Sequence, residues 1–242
     1  MATADFITRQ LTLVIFCREP IPNQAKTRLS KYLGAAGAAA LAEAFILDAV
    51  AKCRMLSPAR LVIAGTGPRP VEGSTFFRAI ARRFNATLMA QGAGGLGARM
   101  ERALASFAAR GVILIGTDTP SLPPAMLARS AALLTRSRVV LGPSLDGGYY
   151  LVGVRGALPD MFRGIRWSSP SVLAKTIARL AREGVRPAIA PGWYDVDRWR
   201  DVELLVAHLA AMRSPRAPNH PQTPCPATAR ALARLGLLRT GR

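Results

Sequence analysis

The stretch Leu11–Gly34 reads LTLVIFCREPIPNQAKTRLSKYLG. Its first seven residues are apolar or β-branched and too few for a helix, which makes them a buried strand. Two prolines then break the chain, and Arg18, Lys26, Arg28 and Lys31 crowd a short loop against one acid, Glu19. Lys26, Thr27 and Arg28 come just before a helical segment, where free backbone N–H groups and the helix dipole favour an anion. A phosphate cradle and a plain solvated basic loop are both open readings of this loop. It is not a Walker loop, because Asn23 and Gln24 stand where glycines would be needed and no Gly-Lys-Thr follows.

Further apolar runs recur at RLVIAG, ATLMAQ, GVILIG and RVVLGP, separated by helix-like segments at about 35–53, 76–84, 96–109 and 123–135. Strands alternating with helices predict right-handed crossovers and a mainly parallel sheet covered on both faces. In such a sheet ligands bind beyond the carboxyl ends of the strands, so each loop that follows a strand is a candidate wall of a site. After residue 142 the pattern changes. LDGGYYLVGV predicts a turn and an added, antiparallel strand; 170–183 and 198–212 read as helices, and RPAIAPG as a strand. Residues 1–212 therefore form one α/β domain. Residues 213–242 read as a flexible tail, with five prolines between Pro215 and Ala227 and then a short basic amphipathic stretch that frays or docks.

Half of the 242 residues are apolar, enough for one substantial core. No run approaches 18 uninterrupted apolar residues and no leader pattern opens the chain, so the expectation is a cytoplasmic protein without a membrane span. Three cysteines without paired spacing exclude a disulfide framework, and two histidines leave little scope for a histidine triad. Chemistry must run on carboxylates, cations or a metal. The net charge of +19 invites a nucleic-acid reading. However, its 29 arginines are scattered rather than striped, and six lie beyond residue 212 with no acid to offset them. A basic binding protein on a degenerate enzyme scaffold is kept as the third reading.

Four strand-to-loop junctions carry the chemistry. The first is the basic loop. In ILIGTDTPSL, four apolar residues deliver Asp118 to a strand end, as a divalent-cation ligand or a helix cap. In LGPSLDGGYYLVG, Asp146 precedes Gly147 and Gly148; a tight turn explains them, as does close approach of a ligand beside Tyr149. In GWYDVDRW, alternation points Asp195 and Asp197 the same way, towards one metal or, for one of them, a helix N-terminus. A further segment, AQGAGGLGARM, sets Gln91, Gly97 and Arg99 about a glycine-rich turn, and Trp167 precedes another helix as a core or lid aromatic.

Six ordered segments, IFCREPIPNQAKTRL, LGARM, LIGTDTPSL, VLGPSLDGGYYLVG, WSSPSV and YDVD, resemble the bacterial DUF2064 proteins, also called the rSAM/selenodomain-associated transferase 1 family and described as arsenosugar biosynthesis glycosyltransferases. The resemblance spans about residues 11–212. It implies a GT-A-like nucleotide-diphospho-sugar transferase fold and a transferase using a nucleotide-activated donor, either a nucleotide sugar or an NTP, with a small-molecule acceptor. By that resemblance Arg18, Lys26, Thr27, Arg28, Gln91, Gly97 and Arg99 bind nucleotide and phosphate. Asp118, Asp195 and Asp197 hold Mg²⁺ or Mn²⁺; Asp146 and Lys26 are catalytic; and Gly147, Gly148, Tyr149 and Trp167 shape the acceptor side. Glycosyl transfer is the first expectation and nucleotidyl transfer to a phosphorylated acceptor the second. Two departures stand out: Asn23-Gln24 where the family pattern has a glycine and a basic residue, and Gly95 where it has an aspartate.

Overall fold

A computed structural model describes residues 2–212 and 224–238. The elements are α1 (Thr3–Arg9), β1 (Thr12–Arg18), α2 (Ser30–Met55), β2 (Arg60–Thr66), α3 (Thr75–Phe84), β3 (Thr87–Ala90), α4 (Leu96–Ala105) and β4 (Val112–Ile115). They continue with α5 (Pro124–Leu134), β5 (Val139–Pro143), β6 (Tyr149–Val154), α6 (Val172–Arg182), β7 (Ala188–Ile189), α7 (Trp199–Met212) and α8 (Pro226–Arg234). Among the described residues the strands form a seven-stranded sheet in the order β3-β2-β1-β4-β6-β5-β7. All neighbours run parallel except β6, which is antiparallel to both β4 and β5. This is the α/β architecture with one reversed strand that the alternating pattern predicts.

Side chains along each strand alternate between two cores. Leu13, Ile15, Ile63 and Ile113 face one layer with Phe6, Val50, Phe77 and Leu127 from α1, α2, α3 and α5. Val14, Val62 and Leu114 face the other with Met100, Leu104 and Leu180 from α4 and α6. Burial on both faces explains why the strands read as unbroken apolar runs. Helix α1 has no counterpart in the sequence reading; it is held because the Phe6 ring fills the space over Gly111, where a Cβ would come within 2.7 Å of it.

Helix α2 is broken at Gly34, which takes φ +66°. By length and composition Thr27–Met55 is long and apolar enough to cross a membrane. Here Ile46 and Val50 bury against the sheet side, while Leu41 and Phe45 pack with Leu232 of α8. That packing differs from the expected flexible tail: Cys225, Ala229, Leu232 and Leu238 are buried in a third core with α2 and α7. Residues 213–223 and 239–242 of that tail lie outside the described residues. The start of α8 has no side-chain cap of its own, and the buried Asp48 of α2 supplies one, accepting from the Ala227 N–H at 2.9 Å and the Thr228 N–H at 2.7 Å. Burial raises the Asp48 carboxyl, and those N–H bonds and the nearby Lys52 oppose the rise.

Candidate active site

The loops after β1, β2, β3, β4 and β5 open on one edge of the sheet, where two cavities meet. The first, about 460 Å³, is surrounded by Arg18, Lys26, Arg28 and Arg99, with Thr27 on its wall. The second, about 370 Å³, opens between Asp146 and Trp167 over an apolar floor. Phe16, Leu96, Gly116, Asp118 and Asp197 line both.

The shared rim is tied by Lys26. Its residue takes the left-handed conformation at φ +48°, as does Asn23 at φ +64°, the position where a glycine would be at ease. The turn carries the ammonium inward until its side chain is only 9 % exposed. There Nζ donates to the Val196 carbonyl at 2.7 Å, to Asp197 Oδ1 at 2.7 Å and to Asp118 Oδ1 at 2.8 Å. An ammonium has three donors, and these contacts use all of them. Burial alone would lower the Lys26 pKa, but the charges of Asp118 and Asp197 outweigh it and raise it. Burial likewise pushes Asp197 up, and Lys26, with help from Arg28 and Arg198, holds it below its ordinary value. Lys26 thus acts as a fixed cross-tie between two carboxylates, a more committed position than the free phosphate-binding cation expected from sequence. Arg28, 62 % exposed and 3.2 Å from Asp197, keeps most of its donors free for a ligand.

Asp195 lies behind this pair and accepts a hydrogen bond from Ser144 Oγ. Burial, opposed by that bond, and then the charges of Asp146 and Asp118 raise its carboxyl to about 7. Asp146 accepts from the Gly148 N–H at 2.8 Å, the Asx-type turn that the Asp-Gly-Gly sequence predicts. Gly147 sits outside the cavity wall: it takes φ +88°, and a Cβ there would fall 2.1 Å from the Pro170 carbonyl oxygen, so packing dictates the glycine. Gly148, Tyr149 and Trp167 do line the second cavity. Gly97 also answers to packing, since a Cβ would come 2.9 Å from the Trp167 ring.

Gln91 is buried and fully engaged. Its amide donates to the carbonyls of Cys17 and Ala64, and its oxygen accepts from Arg99 at 2.9 Å. It therefore aims Arg99 into the first cavity and has little left for a nucleotide. Two contributors escaped the sequence reading. Ser144 gave no signal beyond ordinary turn chemistry. Lys52 is buried and donates to the carbonyls of Thr119 and Pro120, bracing the loop that carries Asp118; burial lowers its pKa to about 8. Asp48 and Lys52, an acid and a base one turn apart among the apolar residues of α2, were the signal available.

Among the described residues no three carboxylate, imidazole or thiol groups gather closely enough to cage a metal, so the expected three-aspartate centre is not assembled. The donors still suit a hard cation. Mg²⁺ and its relatives are commonly held by one or two carboxylates together with substrate phosphates, and the rim offers Asp118 and Asp197, already drawing in one cation, beside a basic cavity.

The family model described as "Uncharacterized protein conserved in bacteria (DUF2064)" matches residues 47–169, just over half of the chain. This chain belongs to the DUF2064 family. None of the curated proteins matches it. Among solved structures, the DUF2064 chain is 26 % identical to a protein from Desulfovibrio desulfuricans G20 proposed to be a nucleotide-diphospho-sugar transferase, with a TM-score of 0.76 over 94 % of this chain and 96 % of that one. Glucosyl-3-phosphoglycerate synthase from Mycobacterium tuberculosis, solved with Mn²⁺, UDP and glucosyl-3-phosphoglycerate, is 14 % identical with a TM-score of 0.53, covering 100 % and 86 %. The inositol-1-phosphate CTP transferase of T. maritima is 14 % identical with a TM-score of 0.51, covering 80 % and 91 %. The last two show a common fold alone, and that fold serves both sugar and nucleotidyl transfer.

Proposed function

We propose that this DUF2064 protein is a divalent-cation-dependent glycosyltransferase that uses a nucleotide-diphospho-sugar. The observation that carries the reading is the meeting of two cavities across Asp118 and Asp197, one ringed by Arg18, Arg28 and Arg99 and the other floored by apolar side chains. A transferase needs such a pair: a cationic place for the leaving diphosphate and a separate approach for the acceptor, both facing one reacting centre. Asp118 with Asp195 or Asp197 would hold a divalent cation at the rim, and that cation would supply charge to balance the departing diphosphate. Arg28 and Arg99 face the same phosphates, and Lys26 fixes the two rim carboxylates in place. Asp146, at the mouth of the second cavity, takes the proton from the acceptor hydroxyl as its oxygen bonds to the sugar's anomeric carbon and the bond to the diphosphate breaks.

Nucleotidyl transfer is the second reading, favoured by the cytidylyl- and nucleotidyl-transferring structures that share the fold. Asp146→Asn separates the two, because a phosphorylated acceptor needs little deprotonation. The test is thermal melting against NTPs and UDP- and GDP-sugars, with and without Mn²⁺, for the parent protein and Asp118→Ala. A metal-dependent rise confined to nucleotide sugars and lost in the variant is expected. A rise with NTPs alone points to nucleotidyl transfer, and no rise with any nucleotide removes the transferase reading.

A further inference from the structure

The two cavities differ in charge. The first gathers Arg18, Lys26, Arg28 and Arg99. The second is lined by Asp118, Asp146, Asp195 and Asp197, and among its described lining residues there is no lysine, arginine or histidine. The nearest ammonium, Lys26, has its donors spent on Asp118, Asp197 and a carbonyl, and Arg28 reaches Asp197 from the first cavity, which leaves Asp146 and Asp195 without a basic partner of their own on this lining. Beneath the acids the floor is Met100, Leu114, Leu151 and Val152, and the Tyr149 and Trp167 rings stand edge to face with centroids 6.3 Å apart.

Resting on the donor assignment above, we infer that the acceptor is an uncharged or cationic hydroxyl compound with an apolar face, and that phosphorylated and carboxylated acceptors are excluded. An anion entering the second cavity loses water and meets acids with no lysine, arginine or histidine on the described lining, whereas an anion bound in a protein needs paired, charge-assisted donors. A divalent cation held by Asp118 with Asp195 or Asp197 would leave Asp146 as the acid facing the acceptor and would add no lysine, arginine or histidine to the lining. Hydroxyl or ammonium groups instead find carboxylate acceptors at the mouth, while an apolar face or sugar ring lies on the aliphatic floor beside the two aromatic rings. A cavity of about 370 Å³ suits a compound of one or two rings. This acceptor class also counts against transfer to a small phosphorylated compound.

The test is a matched series of benzylamine, benzyl alcohol and benzyl phosphate, sharing one ring and differing only in the charge of the head group. The chain has three tryptophans, and Trp167 lines the second cavity. Protein labelled with 5-fluorotryptophan therefore reports that cavity through one ¹⁹F resonance, assigned with Trp167→Phe. Titrated at neutral pH, benzylamine and benzyl alcohol are expected to move the Trp167 resonance with Kd values at least tenfold lower than benzyl phosphate. Asp146→Lys, a change at an exposed turn, is expected to narrow or reverse that order. The inference is overturned if benzyl phosphate moves Trp167 as readily as the other two, or if neither benzylamine nor benzyl alcohol moves it. The donor assignment is read separately from nucleotide-dependent melting. A failed nucleotide panel with the expected order removes the donor and leaves the acceptor class, and the converse does the opposite.

Discussion

The two halves of the sheet contribute opposite chemistry to one site. The half made by β3, β2, β1 and β4 supplies Arg18 at the end of β1, Lys26 and Arg28 from the loop after it and Arg99 from α4, whereas the half made by β6, β5 and β7 leads into Asp146, Asp195 and Asp197. Asp118 leaves β4, the strand on the seam. β4 pairs with β6 along the seam, and at its site end specific contacts fasten the two halves: Lys26 reaches Val196 and Asp197, and the Val196 N–H donates to the Asp118 carbonyl at 2.8 Å. The cations are thus set by a parallel scaffold close in sequence, while the acids arrive late in the chain and must be fastened to it. That division predicts where substitutions act on catalysis and where they act on stability.

The largest effect is expected from breaking the seam. Lys26→Met removes the ammonium that bridges Asp118 and Asp197 and leaves the two carboxylates without it. Transfer should fall by about 10²–10³-fold, the scale of losing one positioned charge at a reacting centre. Melting should fall as well, by about 1–3 kcal/mol, because an ion pair loses one partner while the other stays half-buried. Lys26→Arg is the sharper probe, since a planar guanidinium cannot place three donors as an ammonium does. Full activity in Lys26→Arg would show that charge alone, and not the three-point tie, holds the seam. Both are read by nucleotide-sugar consumption and by denaturant melting.

Next comes the packing that supports the acid-bearing half from outside. Leu232→Asp on α8 puts a charge into the third core, beside Leu41 and Phe45 of α2. It should cost about 3 kcal/mol or more, as a lost buried leucine and an unpaired buried charge together imply. Asp48→Ala, which leaves the first N–H groups of α8 without their acceptor, should cost about 1–2 kcal/mol. Because α2 also carries Lys52 under the Asp118 loop, both variants should lower activity less than stability. A variant that melts like the parent would show that α8 adds nothing to the body.

A smaller effect is expected from pH. The Asp195 carboxyl is raised from 3.8 to about 7 by burial and then by its acidic neighbours. Between those values the folded protein holds a proton that the unfolded chain has released, so rising pH costs stability across that window. Metal-free protein should therefore lose stability as pH climbs from about 4 to 7, the interval the two values bound, and should level off above it. Asp195→Asn should flatten that slope, and a slope equal to the parent's would assign it to another group. Chelator-treated samples melted across the range give the answer.

The same division governs what the sequence reveals. The first half was legible because its strands are buried on both faces and read as unbroken apolar runs, and because Asp118 follows one of them directly. In the second half Asp-Gly-Gly announced the turn into β6, and the order of strands could not be read, since pairing across the sheet leaves no local signature. Nor could the roles of single glycines. Gly97 and Gly147 look like ligand-approach glycines in sequence, yet Trp167 and Pro170 are what they accommodate. Gln91 seemed a nucleotide contact and proves to be the brace of Arg99, because only the folded chain brings the Cys17 and Ala64 carbonyls to its amide. For α8 the amphipathic pattern allowed both fraying and docking, and only the folded chain brings Leu41 and Phe45 of α2 against Leu232.

Gly95 offers the finest test of the cation-bearing half. It stands at the N-cap of α4 with φ −67° and ψ 171°, an extended conformation open to any residue, with no side-chain cap and nothing within 4 Å of an added Cβ. Gly95→Asp restores the acid of the family pattern. As an N-cap it should gain only a few tenths of a kcal/mol over glycine, which in a chain of this size raises melting by about 1 °C. Gly95 does not line the basic cavity, whereas its neighbours Leu96 and Arg99 do. Nucleotide-sugar affinity in the variant is therefore expected to stay within about twofold of the parent, a difference of under 1 kcal/mol. A larger gain would mean that the acid reaches the donor and that this chain has given up a contact. A larger loss would mean that it competes with the diphosphate for Arg99. Unchanged affinity with slightly higher melting leaves capping as the whole of what that position contributes.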